Sequence, residues 1–361
     1  MKNCLIDIID VCQLKCPTCA RGTRLMTNTS KSMSIDLFRK IVKKAKSEGY
    51  DEIGLYNWTE PFLSKNLPEY ISIVKEFDCV CRVSSNLSLK RRFDIIEKSL
   101  FAGLDNLIVS VSGYNQEVYE INHRGGKISY VKENLEYISK LQNDGVINTK
   151  TCLKFIRFDY NICEEPLLQE YAKSLSIDFE VIDGVCHPDR PVNLYDSEES
   201  ILDCMKNYVP IKIFEMDKEI CSLILDTISI DCSGNAYLCC AKPNYPILRV
   251  GSYLDMTKND ILMKRYMHPV CKSCNGYKRE ATEKDRVAVA DALISNLGEP
   301  PEGRFGDVLP RNELAKFETD YAPERDDGLL NRGTRCYKEN GFIYAIKRIF
   351  NYSKLYGRKR Q

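Results

Sequence analysis

Histidine is scarce in this 361-residue chain: His123, His187 and His268 are the only three. That argues against a His-rich zinc or non-haem iron centre. Neither sign of charge is in excess, with 52 Lys plus Arg against 51 Asp plus Glu. A basic surface for nucleic acid or another polyanion is therefore not expected. No apolar run approaches the roughly 18 residues that a membrane span needs. The N-terminus reads Met1-Lys2-Asn3-Cys4-Leu5-Ile6-Asp7-Ile8. Asp7 and Asp10 interrupt the place where a signal peptide would keep an apolar core, so a cytoplasmic location is expected.

What is abundant is cysteine, with 17 residues. In a reducing compartment metal binding or catalysis is a better default for these than structural disulfides. Some are expected to be small buried apolar residues, and Cys79, Cys81 and Cys152, in strand-like runs, are read that way. The remaining composition, 43% hydrophobic and 29% charged, is that of a globular protein with a real core.

The first half alternates short apolar runs with amphipathic stretches. Strands are predicted near residues 4–9, 52–57, 79–85, 106–112, 150–158 and 177–183, with helices between them. One helix begins after Ser34, an N-cap residue, and places Ile35, Phe38, Val42 and Ala45 on one face, with Gly49 as its stop. Another opens at Asn66-Leu67-Pro68. Six strands alternating with helices imply an α/β fold with parallel strands, too few for a closed eight-stranded barrel. A partial (β/α)6 barrel is expected, with its chemistry in the loops after the strands. From about residue 206 the alternation fades. Residues 221–274 read as a small loop-rich unit that metal ligation would stabilise. A helix is predicted over 285–296, followed by a Gly/Pro-rich stretch and polar sequence. The organisation expected is thus 1–205, 206–280 and a C-terminal extension, 281–361.

Directly after the first strand stands Cys12-Gln-Leu-Lys-Cys16-Pro-Thr-Cys19. Three thiolates can hold a 4Fe–4S cluster and leave one iron open, as catalytic zinc keeps an open position. A zinc knuckle short of one ligand is the bland alternative. On this motif, the sequence over roughly residues 4–185 resembles the radical S-adenosylmethionine superfamily. The resemblance implies that Cys12, Cys16 and Cys19 bind a 4Fe–4S cluster whose fourth iron takes the amino and carboxylate groups of S-adenosylmethionine. It also implies reductive cleavage of that cofactor to a 5′-deoxyadenosyl radical, and an external electron donor such as flavodoxin or ferredoxin. Thr18 stands where the family often has an aromatic residue.

Other segments extend the likeness. Asn57-Trp58-Thr59-Glu60-Pro61 is similar to the family's Gly-Gly-Glu-Pro, and implies that Glu60 accepts from the cofactor's ammonium. Val109-Ser110-Val111-Ser112-Gly113, with Arg124 further on, is similar to Ser-x-Asp-Gly and a following Arg. The implied role for Ser110 and Arg124 is to hold the cofactor carboxylate, with Ser112 in place of the usual Asp. Asn86, after the third strand, is placed to meet the ribose.

Cys221, Cys239, Cys271 and Cys274 form a second set suited to a closed site of four thiolates, with a Cys4 zinc ribbon as the alternative. The arrangement resembles the auxiliary-cluster region known as SPASM, and its shortened twitch form. It implies one auxiliary 4Fe–4S cluster, since no further cysteine follows until Cys336. Gly234, five positions earlier, selects Cys239 over its neighbour Cys240.

The last 21 residues, from Gly341, hold six Lys or Arg and no acid, with Phe342, Ile346, Ile349 and Phe350 on one helical face. A basic amphipathic helix can meet an anionic membrane surface, or dock on its own domain. Three functions are weighed. The leading one is oxidation of a small polar molecule, a sugar or aminocyclitol unit, with radical epimerisation beside it. Peptide or protein modification is the second, and with three residues before Cys4 no leader-recognition domain is expected to precede the barrel. A non-catalytic zinc or electron-transfer protein is the third. Cys186 is the kind of residue an epimerase would use as hydrogen donor, although an ordinary loop cysteine is the plainer reading.

Overall fold

A computed structural model describes residues 2–184 and 217–297, apart from residues 24, 25, 91 and 275. All six predicted strands are present: β1 (Asn3–Ile6), β2 (Glu52–Gly54), β3 (Val80–Ser85), β4 (Asn106–Val111), β5 (Lys150–Arg157) and β6 (Asp178–Asp183). They pair in sequence order, each parallel to the next. Between them lie α1 (Ile35–Ser47), α2 (Leu67–Glu76), α3 (Phe93–Phe101), α4 (Gln116–Asn122), α5 (Ile128–Asn143) and α6 (Glu165–Ser174).

Local chemistry accounts for the helix boundaries. Ser34 caps α1 by accepting from the Leu37 amide, and Gly49 follows with φ +83°, the left-handed conformation that ends a helix. Asn66 precedes α2 as expected, but its side chain makes no cap hydrogen bond.

Burial alternates along the strands, as their period of two requires. Cys4, Ile6, Ile53, Cys81, Val83, Leu107, Val109, Val111, Leu153 and Phe155 face one side. There they pack with Phe38, Ile41 and Val42 of α1, Ile71 and Val74 of α2, and Val131 and Leu135 of α5. Cys79 and Cys81 belong to this core, 1% and 0% exposed. Cys152 does not. It is half-buried on the opposite face, paired with Ile108 and Asp178, because Thr151 and Leu153 take the core positions on either side of it.

The sheet is wider than six strands. After β7 (Glu219–Cys221) and the short α7 (Ser222–Asp226) come β8 (Thr227–Ile230), β9 (Asn235–Tyr237) and β10 (Arg249–Ser252). β8 pairs in parallel with β1, and β9 and β10 follow antiparallel, giving the order β10-β9-β8-β1-β2-β3-β4-β5-β6. Three strands of the 206–280 stretch, β8, β9 and β10, thus continue the barrel sheet. α8 (Lys258–Met267) and α9 (Pro269–Ser273) lead to β11 (Lys278–Glu280), which pairs with β7, and then to α10 (Glu283–Leu297), close to the predicted 285–296. Cys186, Cys336 and the basic C-terminal stretch lie outside the described residues. Among the described residues no helix is long and apolar enough to cross a membrane.

Candidate active site

The first cysteine loop leaves the C-terminal end of β1 and is stitched down by its own neighbours. Arg21, 3% exposed, lies 2.5 Å from the Asp10 carboxylate and donates to the Trp58, Thr27 and Asp10 carbonyls. The Lys15 amide donates to the Arg124 carbonyl at 2.9 Å, and Thr18 Oγ1 donates to Asn122 at 2.7 Å. Gly22 is required, since a Cβ there would stand 2.3 Å from the Cys16 carbonyl oxygen.

Cys12, Cys16 and Cys19 are each partly exposed. Burial pushes the Cys12 thiol up to about 12, with the Glu60 charge adding to it. Burial also raises Cys16, and the Cys19 and Cys12 charges raise it further; Cys19 is raised by burial as well. The three thiols are thus near enough to oppose one another's ionisation, and only a bound cation would hold them together as thiolates. Among the described residues no three His, Cys, Asp or Glu side chains converge to hold a single metal ion. The fit to an iron–sulfur cluster therefore rests on donor chemistry: three thiols on one loop, at the functional end of parallel strands. The loop fits that group.

Glu60 follows β2 and is 1% exposed. Its Oε1 accepts from the Phe62 amide at 3.1 Å and Ser85 Oγ at 2.8 Å. Its Oε2 accepts from the Asn86 amide at 2.9 Å and Asn86 Nδ2 at 2.6 Å. Four donors fill the acceptor positions of a carboxylate, so an incoming ammonium has to displace one. Burial raises the Glu60 carboxyl to about 7. Asn86 is joined to the cysteine loop as well: its Oδ1 accepts from Gln13 at 2.8 Å and its Nδ2 lies 3.8 Å from Cys12 Sγ. Leu87 beyond it has φ +49°, an uncommon backbone for a branched residue, supported by its amide donating to Ser85 Oγ at 2.8 Å.

Ser110 is half-buried on the sheet face opposite the helices, beside Lys154 on β5. Arg124 is exposed, and its guanidinium makes no ion pair among the described residues. Its main chain, through Lys15, is what joins it to the cysteine loop. Ser112, fully buried, lies 2.6 Å from His123 Nδ1. Burial lowers His123 to about 4, and its ring stacks on Tyr119 with centroids 4.8 Å apart.

Sequence reasoning passed over Asp7 except as a break in an apolar run. It is 2% exposed and accepts from the Trp58 amide at 3.0 Å and Thr59 Oγ1 at 2.8 Å, with Asn244 Nδ2 at 3.5 Å. Asp7 thus links the cysteine loop, the Glu60 segment and the turn after Cys239. An acid directly after a buried strand was the available signal.

The second cysteines come from three places: Cys221 at the end of β7, Cys239 just after β9, and Cys271 and Cys274 in and after α9. Pairing of Cys221 with Lys278 brings the first near the last. The Ala241 amide donates to Cys239 Sγ and the Gly276 amide to Cys274 Sγ, each at 3.4 Å. Burial pushes Cys271 up to about 12, and the Cys239, Cys221 and Cys274 charges add to it. These four thiols therefore share one neighbourhood, a donor set that fits a thiolate-bound metal or cluster. Cys240 donates to Cys239, lowering the Cys239 thiol and raising its own.

Residues 6–154 match the Radical SAM superfamily model. The chain is 29% identical over 184 residues to a probable GTP 3′,8-cyclase of Methanococcus maripaludis, covering 50% of this chain and 58% of that relative. It is 25% identical over 139 residues to a GTP 3′,8-cyclase of Alkaliphilus oremlandii, covering 38% and 42%. The chain therefore spans about half the length of the curated relatives it matches. Its fold is similar to Streptococcus suis SuiB bound to S-adenosylmethionine, with a TM-score of 0.55 at 11% identity over 75% of this chain and 67% of that one. The segment that matches the Radical SAM superfamily model, residues 6–154, holds the first cysteine loop, Glu60, Asn86, Ser110 and Arg124.

Proposed function

We propose that this chain cleaves S-adenosylmethionine reductively and abstracts hydrogen from a small polar molecule, a sugar or aminocyclitol unit that it dehydrogenates. The sheet face opposite the helices carries this reading. Ser110, Lys154 and Glu180 share one row near the C-terminal ends of their strands. Lys154 reaches Glu180 at 3.1 Å. Such a face offers donors and acceptors rather than apolar contact, as a hydroxyl- or amine-bearing substrate requires. When bound at Cys12, Cys16 and Cys19, the 4Fe–4S cluster supplies the electron that breaks the cofactor's sulfonium bond.

The other assignments follow from placement. Ser110 and the exposed Arg124 are the groups for the cofactor carboxylate, Asn86 for the ribose, and Glu60 for the ammonium. Cys221, Cys239, Cys271 and Cys274 hold one auxiliary 4Fe–4S cluster. Four protein ligands close that site to substrate, so its role is electron transfer, which favours oxidation over epimerisation. An external donor such as flavodoxin or ferredoxin and a cytoplasmic location belong to the same reading.

The likeness to proteins named GTP 3′,8-cyclase favours a second reading, chemistry on GTP. One experiment separates the two. Reconstituted protein is incubated anaerobically with S-adenosylmethionine and dithionite, with aminocyclitols and nucleotide sugars or with GTP, and 5′-deoxyadenosine and product mass are measured in deuterated water. Stimulation by an aminocyclitol or sugar, with a product lighter by two hydrogens, is the expected result. Stimulation by GTP alone overturns the sugar reading. A product of unchanged oxidation level with one non-exchangeable deuterium means epimerisation.

A further inference from the structure

α8 carries, on its buried side with Ile261 and Leu262, a residue that does not belong in an apolar contact. Arg265 is 2% exposed and among the largest fully buried side chains of the protein. A buried guanidinium is costly unless it is hydrogen-bonded and its charge is balanced. Each of its three nitrogens donates at least one hydrogen bond. Nε donates to the Leu238 carbonyl at 2.8 Å, Nη1 to Ile224 at 3.1 Å and Thr227 at 2.7 Å, and Nη2 to Leu223 at 2.9 Å. All these acceptors are neutral carbonyls, and no carboxylate lies within ion-pair distance of it among the described residues.

The positions of those carbonyls say what the arginine organises. Leu238 directly precedes Cys239, and Leu223 and Ile224 follow Cys221 by two and three residues. The helix bearing Arg265 runs on through His268 into α9 and Cys271. One guanidinium therefore fastens the three chain segments that deliver the second cysteine set.

We infer that Arg265 is the buried counter-charge of the second cysteine set, positioning the segments of Cys221 and Cys239 and offsetting the negative charge of a thiolate-bound cluster there. This rests on the auxiliary-cluster reading above. A cluster held by four thiolates gains further negative charge on reduction. A fixed cation beside it stabilises the reduced form more than the oxidised one and raises the potential. An arginine that served only as a carbonyl clamp would have no such effect.

The test uses the full chain with Cys12, Cys16 and Cys19 replaced by Ala, so that the second site alone binds iron. Iron content and the midpoint potential, from a titration followed by electron paramagnetic resonance, are compared with Arg265→Lys and Arg265→Gln added. The inference expects Arg265→Gln to shift the potential downward and retain less iron. Arg265→Lys, which keeps the charge but not the fork of donors, should stay near the parent potential while losing some iron. A potential unchanged in Arg265→Gln, or shifted equally in both variants, overturns the counter-charge. If Arg265→Gln does not fold, Arg265→Lys decides alone: a potential displaced downward overturns the inference, and one that holds supports it. Zinc or no metal in the parent of this series is a different failure, and removes the auxiliary-cluster reading together with the inference built on it.

Discussion

Cys12, Cys16 and Cys19 fall within eight residues of one loop, whereas Cys221, Cys239, Cys271 and Cys274 are spread over 54 residues. The compact set needs little from distant sequence. Its loop is anchored by Arg21, which pairs with Asp10 and bonds nearby carbonyls, and by contacts from the turn after β3 and the end of α4. The dispersed set depends on long-range pairing of β7 with β11 and on Arg265. Arg21 has a carboxylate partner and Arg265 has none among the described residues, which separates a self-balanced frame from one completed by what it binds.

The largest expected effects test whether the two regions are independent. Reconstituted protein should hold about eight irons, four per cluster. Replacing Cys12, Cys16 and Cys19 by Ala should remove half and abolish 5′-deoxyadenosine formation. Replacing Cys271 and Cys274 by Ala should remove the other half and leave cofactor cleavage intact. Loss of cleavage in that second variant would break the comparison, because the regions would then act as one.

A smaller effect comes from the buried groups around the compact loop, and its sign is fixed by their shifts. His123, lowered from 6.5 to about 4 by burial, contributes stability that is fully present above 6.5 and lost as pH falls through about 4. Its full size is on the order of 3 kcal/mol. Asp7 has the opposite sign. Raised from 3.8 to about 6, chiefly by burial, it contributes stability present below 3.8 and lost as pH rises through about 6. Urea unfolding of metal-free protein should therefore show His123→Gln losing less stability than the parent between pH 7 and 4. Asp7→Asn should lose less between pH 4 and 7. Parallel profiles for parent and variants would mean that neither group is buried as described.

The six barrel strands and the first cysteine loop were legible because both are local: strands show a period of two, and the loop a spacing. The alternation even contained the true place of Cys152, out of phase with Thr151 and Leu153. β8 was not legible. Thr227–Ile230 is four residues long and buried throughout, and its partner β1 lies more than two hundred positions earlier. Arg265 was hidden for a related reason. Beside Lys264 in the last turn of a helix it reads as a cation complementing the dipole, and only the fold shows it enclosed by carbonyls. The role of Glu60 was read from its motif, but the number of donors already on it depends on how β3 ends.

That last point gives the finest test of the compact region. Glu60 holds both Asn86 donors on Oε2, and Asn86 in turn stands 3.8 Å from Cys12 Sγ. Glu60→Gln places an amide donor against two donors, whichever way it turns, and should loosen Asn86 as well as weaken the acceptor. S-adenosylmethionine binding to reconstituted protein, followed by equilibrium dialysis, is expected to weaken by about 1.5–3 kcal/mol, the range of a hydrogen bond to a charged group. Asn86→Ala then tells which atom matters. If Glu60 takes the ammonium directly, Asn86→Ala removes only its own ribose contact, and its effect adds to that of Glu60→Gln in the double variant. If Asn86 carries the contact, Asn86→Ala weakens binding as much as Glu60→Gln, and the double variant adds little to either. Unchanged binding in Glu60→Gln, with the fold intact, would move the ammonium site away from this carboxylate altogether.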